Sequence, residues 1–163
     1  MSINYKTIDL FEYVEQLGNK SKIIIHVCND KGAWGAGFVV PLGVKFPLAK
    51  DSYRSLADQD LLELGETEFV CVDEENNTFV GNMVAQTLGW ERGRPPIRYE
   101  SLLQCLKEVA EVAEYPFESK KEIEIIAPRF GAGLAGGKWE IIEELIQQTI
   151  GGFDVTICDL PAK

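Results

Sequence analysis

The stretch IIAPRFGAGLAGGKWEIIEEL, residues 125–145, decides the fold. It opens as a β-branched apolar run and closes as an amphipathic one, with Gly131, Gly133, Gly136 and Gly137 between. Glycine loses more backbone freedom on folding than any other residue, so this cluster needs a physical reason. A strand running into a helix through a tight, backbone-exposing turn supplies one. Upstream, SKIIIHVCN (21–29) is a continuous apolar run of the kind buried in mid-sheet. Gly32, Gly35 and Gly37 follow it and open a helical stretch expected to break near Pro41 and Gly43. Two glycine segments thus sit at the carboxyl ends of two strands, where open α/β sheets bind ligands. Tight turns alone would also use glycine, so a purely structural reading stays open.

The rest of the chain completes the pattern. SINYKTID (2–9) reads as a first strand and LFEYVEQL (10–17) as a short helix. PLAKDSYRSLAD (47–58) is a helix with Pro47 suited to its first turn. TEFVCVD (67–73) and TFVGNMVAQ (78–86) flank the polar turn EENN and read as a hairpin. LGWERGRPPIR (88–98) is a loop that feeds the helix 99–115, where Leu102, Leu103, Leu106, Val109, Ala110 and Ala113 keep helical spacing. KEIEIIAP (121–128) is a strand, WEIIEELIQQTI (139–150) a helix and FDVTICDL (153–160) the last strand. Helices interleave with buried strands and no repeat or linker interrupts them. One α/β domain over residues 1–163 is expected, with a mixed, mostly parallel sheet of about six strands between helical layers.

Composition narrows the function. At 45% hydrophobic and 26% charged, the chain has the profile of a soluble globular protein. Its apolar runs, such as Ile23–Ile25 and Phe38–Leu42, are too short to cross a bilayer, and the N-terminus lacks a secretion pattern. Cys28, Cys71, Cys105 and Cys158 are widely spaced within apolar segments and form no CxxC pair. Buried free thiols in a reducing cytoplasm are therefore expected, without a metal site. A net charge of −10 argues against binding along a nucleic-acid backbone. It does not exclude a small anion held by backbone amides.

Known phosphate motifs fit poorly. A Walker A loop ending at Gly137-Lys138 would need glycine at Ala132 and Ser or Thr at Trp139. Gly131, Gly133 and Gly136 do satisfy GxGxxG, with Asp154 or Asp159 downstream, but too little chain follows for the further strand–helix units of a dinucleotide fold.

HVCNDKGAWGAGF (26–38) and APRFGAGLAGGKWE (127–140), in this order in an α/β chain, resemble the macrodomain family. The likeness is to the branch holding the fungal ADP-ribose-1″-phosphate phosphatase and the terminal ADP-ribose glycohydrolases. It runs from TIDLF (7–11) to TICDL (156–160) and implies a three-layer α/β/α fold that binds ADP-ribose or its derivatives. An ADP-ribosylated protein is an implied partner; no cofactor is implied.

The resemblance also implies roles. Asp9, before Leu10, would accept from the adenine amino group, a fit task for an acceptor-only carboxylate; capping the following helix is its plainer role. Leu160 would lie near adenine and Asn29 near the distal ribose. Gly35, Ala36 and Gly37 would pass beneath the diphosphate. Phe130, Gly131, Ala132, Gly133, Leu134, Ala135 and Gly136 would wrap the phosphates. Trp34 would pack over the distal ribose or sit buried at a helix start.

Catalysis is the open part. His26 is the only histidine and stands where the phosphatase-like branch has one, so it is a candidate acid or base; a hydrogen-bonded core histidine is the alternative. Asp30 is a candidate to position water or take a proton. The glycohydrolase-like branch uses a lysine and an aspartate, whose places correspond to Gln86 and Ala135. An amide and a methyl group cannot do that chemistry. Arg92, Arg94 and Arg98 are candidate partners for a terminal phosphate. Hydrolysis of ADP-ribose-1″-phosphate and a non-catalytic reader of ADP-ribose are the two functions this implies.

Overall fold

The computed structural model describes residues 3–115 and 122–162. Ser2 and Lys121, at the starts of two expected strands, lie outside the described residues. Strands β1 (Asn4–Thr7), β2 (Ser21–Asn29), β3 (Thr67–Asp73), β4 (Thr78–Gln86), β5 (Ile123–Ala127) and β6 (Asp154–Asp159) form one sheet in the order β1-β6-β5-β2-β4-β3. All neighbours run parallel except β3, which returns antiparallel to β4 as the expected hairpin. The helices are α1 (Leu10–Gln16), α2 (Val39–Lys45), α3 (Pro47–Asp58), α4 (Tyr99–Glu114) and α5 (Trp139–Ile150).

Period-two alternation along the central strands divides the core. Ile23 and Ile25 join α4 and α5 on one face, through Leu102, Leu106, Val109, Ile142 and Ile146. Ile24 and Cys28 join the other face, with Leu10 and Val14 of α1, Leu42 of α2, and Ala49 and Tyr53 of α3. Three layers result, α/β/α, as the resemblance implies.

Local chemistry sets the helix ends. Asp9 Oδ1 accepts from Phe11 N at 2.9 Å and Glu12 N at 3.1 Å, so two otherwise orphaned amides of α1 are capped. The expected break near Pro41 and Gly43 is not found; α2 runs through both. Pro41 lies in its first turn, where the missing N–H has no helical partner to lose. Gly43 is required by packing, since a Cβ there would stand 2.6 Å from Trp34 Nε1. The break comes at Phe46 (φ −130°, ψ 78°), which Pro47 disfavours from helical geometry.

Two further differences concern the surface. Loop 88–98 contains a tight turn in which Arg92 (φ 50°) and Gly93 (φ 78°) are both left-handed and Glu91 pairs with Arg94. Cys71 is exposed, contrary to expectation, because it sits on β3 at the sheet edge; Cys28, Cys105 and Cys158 are buried, and all four are free. Among the described residues no helix is long and apolar enough to cross a membrane.

Candidate functional site

A cleft of about 590 Å³ opens at the carboxyl ends of β2, β4 and β5, between the two glycine loops. Of the residues singled out by sequence, His26, Asn29, Gly35, Ala36, Gly37, Phe130, Gly131, Gly133, Leu134 and Ala135 border it. Asp9, Leu10, Asp30, Trp34, Ala132, Gly136 and Leu160 do not. Leu10 and Trp34 are buried in the core, and Leu160 is exposed.

The second loop folds upon itself. Gly137 N donates to Gly131 O at 2.7 Å and Gly136 N to Gly133 O at 3.0 Å. Gly131 (φ 77°) and Gly136 (φ 73°) take left-handed conformations, and a Cβ at Gly137 would strike Gly131 O at 2.5 Å. These three glycines serve the loop's own closure. Gly133 and Gly35 differ: a Cβ at either would meet nothing within 4 Å.

That closure leaves a row of donors unused. The amides of Gly131 to Ala135, and of Gly35, Ala36 and Gly37 opposite, have no acceptor among the described residues. Successive free N–H groups in a concave backbone form a site for an anion, and they do so without a cation. Leu134 reaches toward Gly37, so the two loops meet across the cleft.

Asn29 is spent on structure. Its Oδ1 accepts from Lys31 N (2.9 Å), Ala33 N (3.1 Å) and Tyr53 Oη (3.0 Å), while Nδ2 donates to Ala33 O at 2.8 Å. The amide thereby shapes the first loop from below. Asp30 is half-buried and its Oδ1 has no hydrogen-bond partner among the described residues; Trp34 Nε1 is likewise unpaired.

His26 borders the cleft floor yet is only 1% exposed. Burial pushes its pKa down to about 4, against a smaller opposing effect from Asn82, so the ring is neutral at pH 7. The rings of Trp34 and Phe38 pack on it, each centroid 5.7 Å away.

The arginines of loop 88–98 do not border the cleft. Arg98 is buried and donates to Pro96 O, Ile97 O and Thr87 Oγ1, each at 3.2 Å, which holds its own loop in shape. Arg94 is exposed, 3.6 Å from Glu100. Sequence reasoning missed a different arginine. Arg129 borders the cleft, pairs bidentately with Asp159 at 2.7 and 3.0 Å, and stacks over the rings of Tyr5 and Trp139. Its place directly before the glycine loop was the available signal. Gln86 and Phe38 border the cleft as well.

Fold and cleft define a class: three-layer α/β domains that receive a ligand between two glycine loops at the carboxyl edge of the sheet. No family model matches the chain. Solved structures do: a Streptomyces coelicolor macrodomain protein is 31% identical, with 97% of this chain and 99% of that one covered at a TM-score of 0.72. A Bacteroides thetaiotaomicron protein of unknown function is 38% identical, covering 98% and 99% of the two chains at a TM-score of 0.86. The chain belongs to the macrodomain family. Among curated relatives, the ADP-ribose 1″-phosphate phosphatase of Candida albicans is 24% identical over 148 residues, 90% of this chain and 92% of its own length.

Proposed function

We propose that this chain, residues 1–163 acting as one domain, binds ADP-ribose in the cleft between its glycine loops. The observation that carries the reading is the pair of facing, unpaired amide rows, Gly35–Gly37 and Gly131–Ala135. They can accept a diphosphate despite a net charge of −10, since backbone dipoles act at contact range while the global field is screened by salt. The cleft volume falls in the range of small-molecule sites. In this reading Asp9, Leu10 and Leu160 would flank adenine, Ala132 would contribute its amide, and Trp34 and Gly136 would support the loops from behind. No cofactor or metal enters the reading.

For turnover, we favour hydrolysis of ADP-ribose-1″-phosphate to ADP-ribose and phosphate, with His26 and Asp30 as the acid–base candidates. The likeness to the Candida phosphatase over nearly the whole length supports this. The alternative is a non-catalytic reader of free or protein-linked ADP-ribose, which a buried, neutral His26 favours. Gln86 and Ala135 both border the cleft, where they would replace the lysine and aspartate of the glycohydrolase-like branch. Free thiols suit a cytoplasmic location.

Calorimetric titration with ADP-ribose, with AMP and NAD as controls, tests the binding. Micromolar affinity for ADP-ribose and none for AMP is expected; no heat with ADP-ribose would sink the proposal. Phosphate release from ADP-ribose-1″-phosphate, with and without His26→Ala, then separates enzyme from reader.

A further inference from the structure

Three adjacent strands carry polar side chains in direct register across one sheet face, separated by apolar neighbours from the polar groups at its amino end. Glu68 of β3 lies opposite Asn82 of β4, and Asn82 opposite His26 of β2. Their neighbours on the same face, Ile24 and Val80, belong to the hydrophobic core. A buried polar line is retained only where its members satisfy one another, since an unmatched group costs its full desolvation.

The partners fix the hydrogen positions. Asn82 Nδ2 donates to Ala49 O and to Glu68 Oε1, both at 3.1 Å. Both partners are acceptors, so the amide nitrogen must face them and Oδ1 must face His26. The ring nitrogen Nε2 stands 2.5 Å from that oxygen. A carboxamide oxygen only accepts, so Nε2 bears the proton. Ser52 Oγ donates to Glu68 Oε2 at 2.5 Å and holds the far end of the line.

We infer that Glu68 and Asn82 are positioning residues that lock His26 as its Nε2–H tautomer, leaving Nδ1 as a hydrogen-bond acceptor at the floor of the cleft. Beyond Asn82, what faces the ring is Cys28 of its own strand, whose Sγ is 3.8 Å from Nε2 and 4.0 Å from Nδ1, and the rings of Trp34 and Phe38. The Cys28 thiol is kept protonated by burial. Glu68 reaches the ring only through Asn82. His26 therefore accepts a hydrogen bond from a hydroxyl or a water and donates none into the cleft. The tautomer stands independently of the ADP-ribose reading; the acceptor role toward a ligand rests on it.

A single histidine makes the test unambiguous. In protein labelled with ¹⁵N-histidine, Nε2 is expected to give a protonated-nitrogen resonance and Nδ1 a bare one from about pH 5 to about pH 8. The opposite tautomer, or titration near the ordinary histidine value, overturns the inference. Adding ADP-ribose is expected to shift Nδ1 more than Nε2. An unmoved Nδ1 in protein that binds ADP-ribose by calorimetry overturns the acceptor role. Absence of calorimetric binding defeats the proposed function, while the tautomer result still decides the lock. Glu68→Leu is expected to release a second tautomer population and Glu68→Gln, which retains an acceptor oxygen for Asn82, to restore the single form. A Glu68→Leu protein with an unchanged imidazole spectrum removes Glu68 from the line, and if that variant does not fold, the wild-type spectrum decides.

Discussion

The two ends of the sheet treat their polar groups in opposite ways. At the amino end the chain satisfies itself. Lys22 is wholly buried, and its Nζ donates to Gly18 O and Lys20 O at 2.8 Å and to Asn76 O at 2.7 Å, tying the turn before β2 to the turn before β4. Nearby, buried Glu124 accepts from Tyr13 Oη, from Thr156 Oγ1 at 2.9 Å and from Lys20 Nζ at 3.2 Å. At the carboxyl end eight amides in two loops have no partner within the described chain. Folded proteins pair nearly all their backbone donors, by chain, water or ligand. An end that completes its own bonding is built for stability; an end that withholds it is built to receive.

Breaking the amino end should therefore cost stability. Lys22→Met removes three part-buried hydrogen bonds from an ammonium, each worth about 1–2 kcal/mol. A loss of about 3–5 kcal/mol in denaturant unfolding is expected, with ADP-ribose affinity at low denaturant unchanged. A loss under about 1 kcal/mol would mean that water replaces the ammonium.

The floor of the cleft lies between these extremes, and pH exposes it. His26 binds its proton less readily folded (pKa about 4) than unfolded (about 6.5). The unfolded chain thus holds more protons across that interval, and stability rises with pH through it. Acidifying from about pH 6.5 to about pH 4 should remove roughly 3 kcal/mol through this group, on top of the carboxylate effects. Unfolding curves of His26→Gln, measured at the same pH values, should be flatter by that amount.

At the carboxyl end, substitutions should sharpen the contrast by costing affinity and not stability. Gly133 has open space around its absent Cβ and no left-handed requirement. Gly133→Val should lower ADP-ribose affinity tenfold or more, about 1.4 kcal/mol, while leaving the melting temperature in place. Gly131→Ala should cost stability as well, since it meets both a positive φ and Ile97 and Ile142 at 3.1 and 3.0 Å. Smallest of all, Cys71→Ser on the exposed edge should change stability by less than about 0.5 kcal/mol in the same unfolding assay.

The same contrast explains what the sequence disclosed. Strands β2 and β5 and helices α4 and α5 were legible because burial on a face leaves a period, and the glycine loops because few other residues tolerate such backbones. Helix α2 was misread at Pro41 and Gly43 because the deciding facts, a first-turn position and the indole of Trp34, belong to three dimensions. Cys71 was misplaced because an edge strand looks like a central one until its neighbours are known. Within the site, Asn29 and Arg98 reveal their structural duties only through the carbonyls and amides around them. The line from Glu68 through Asn82 to His26 was invisible, since strand register brings together residues 14 and 56 positions apart.

The self-closure of loop 131–137 has a kinetic consequence. Its two internal hydrogen bonds and two left-handed glycines order the backbone while the protein folds. The entropy of arranging those amides is spent then, leaving little to be lost when an anion arrives. Binding to such a rigid cradle should resemble docking to a fixed surface, with arrival rates nearly constant among related ligands. Their discrimination would lie in how long each one stays.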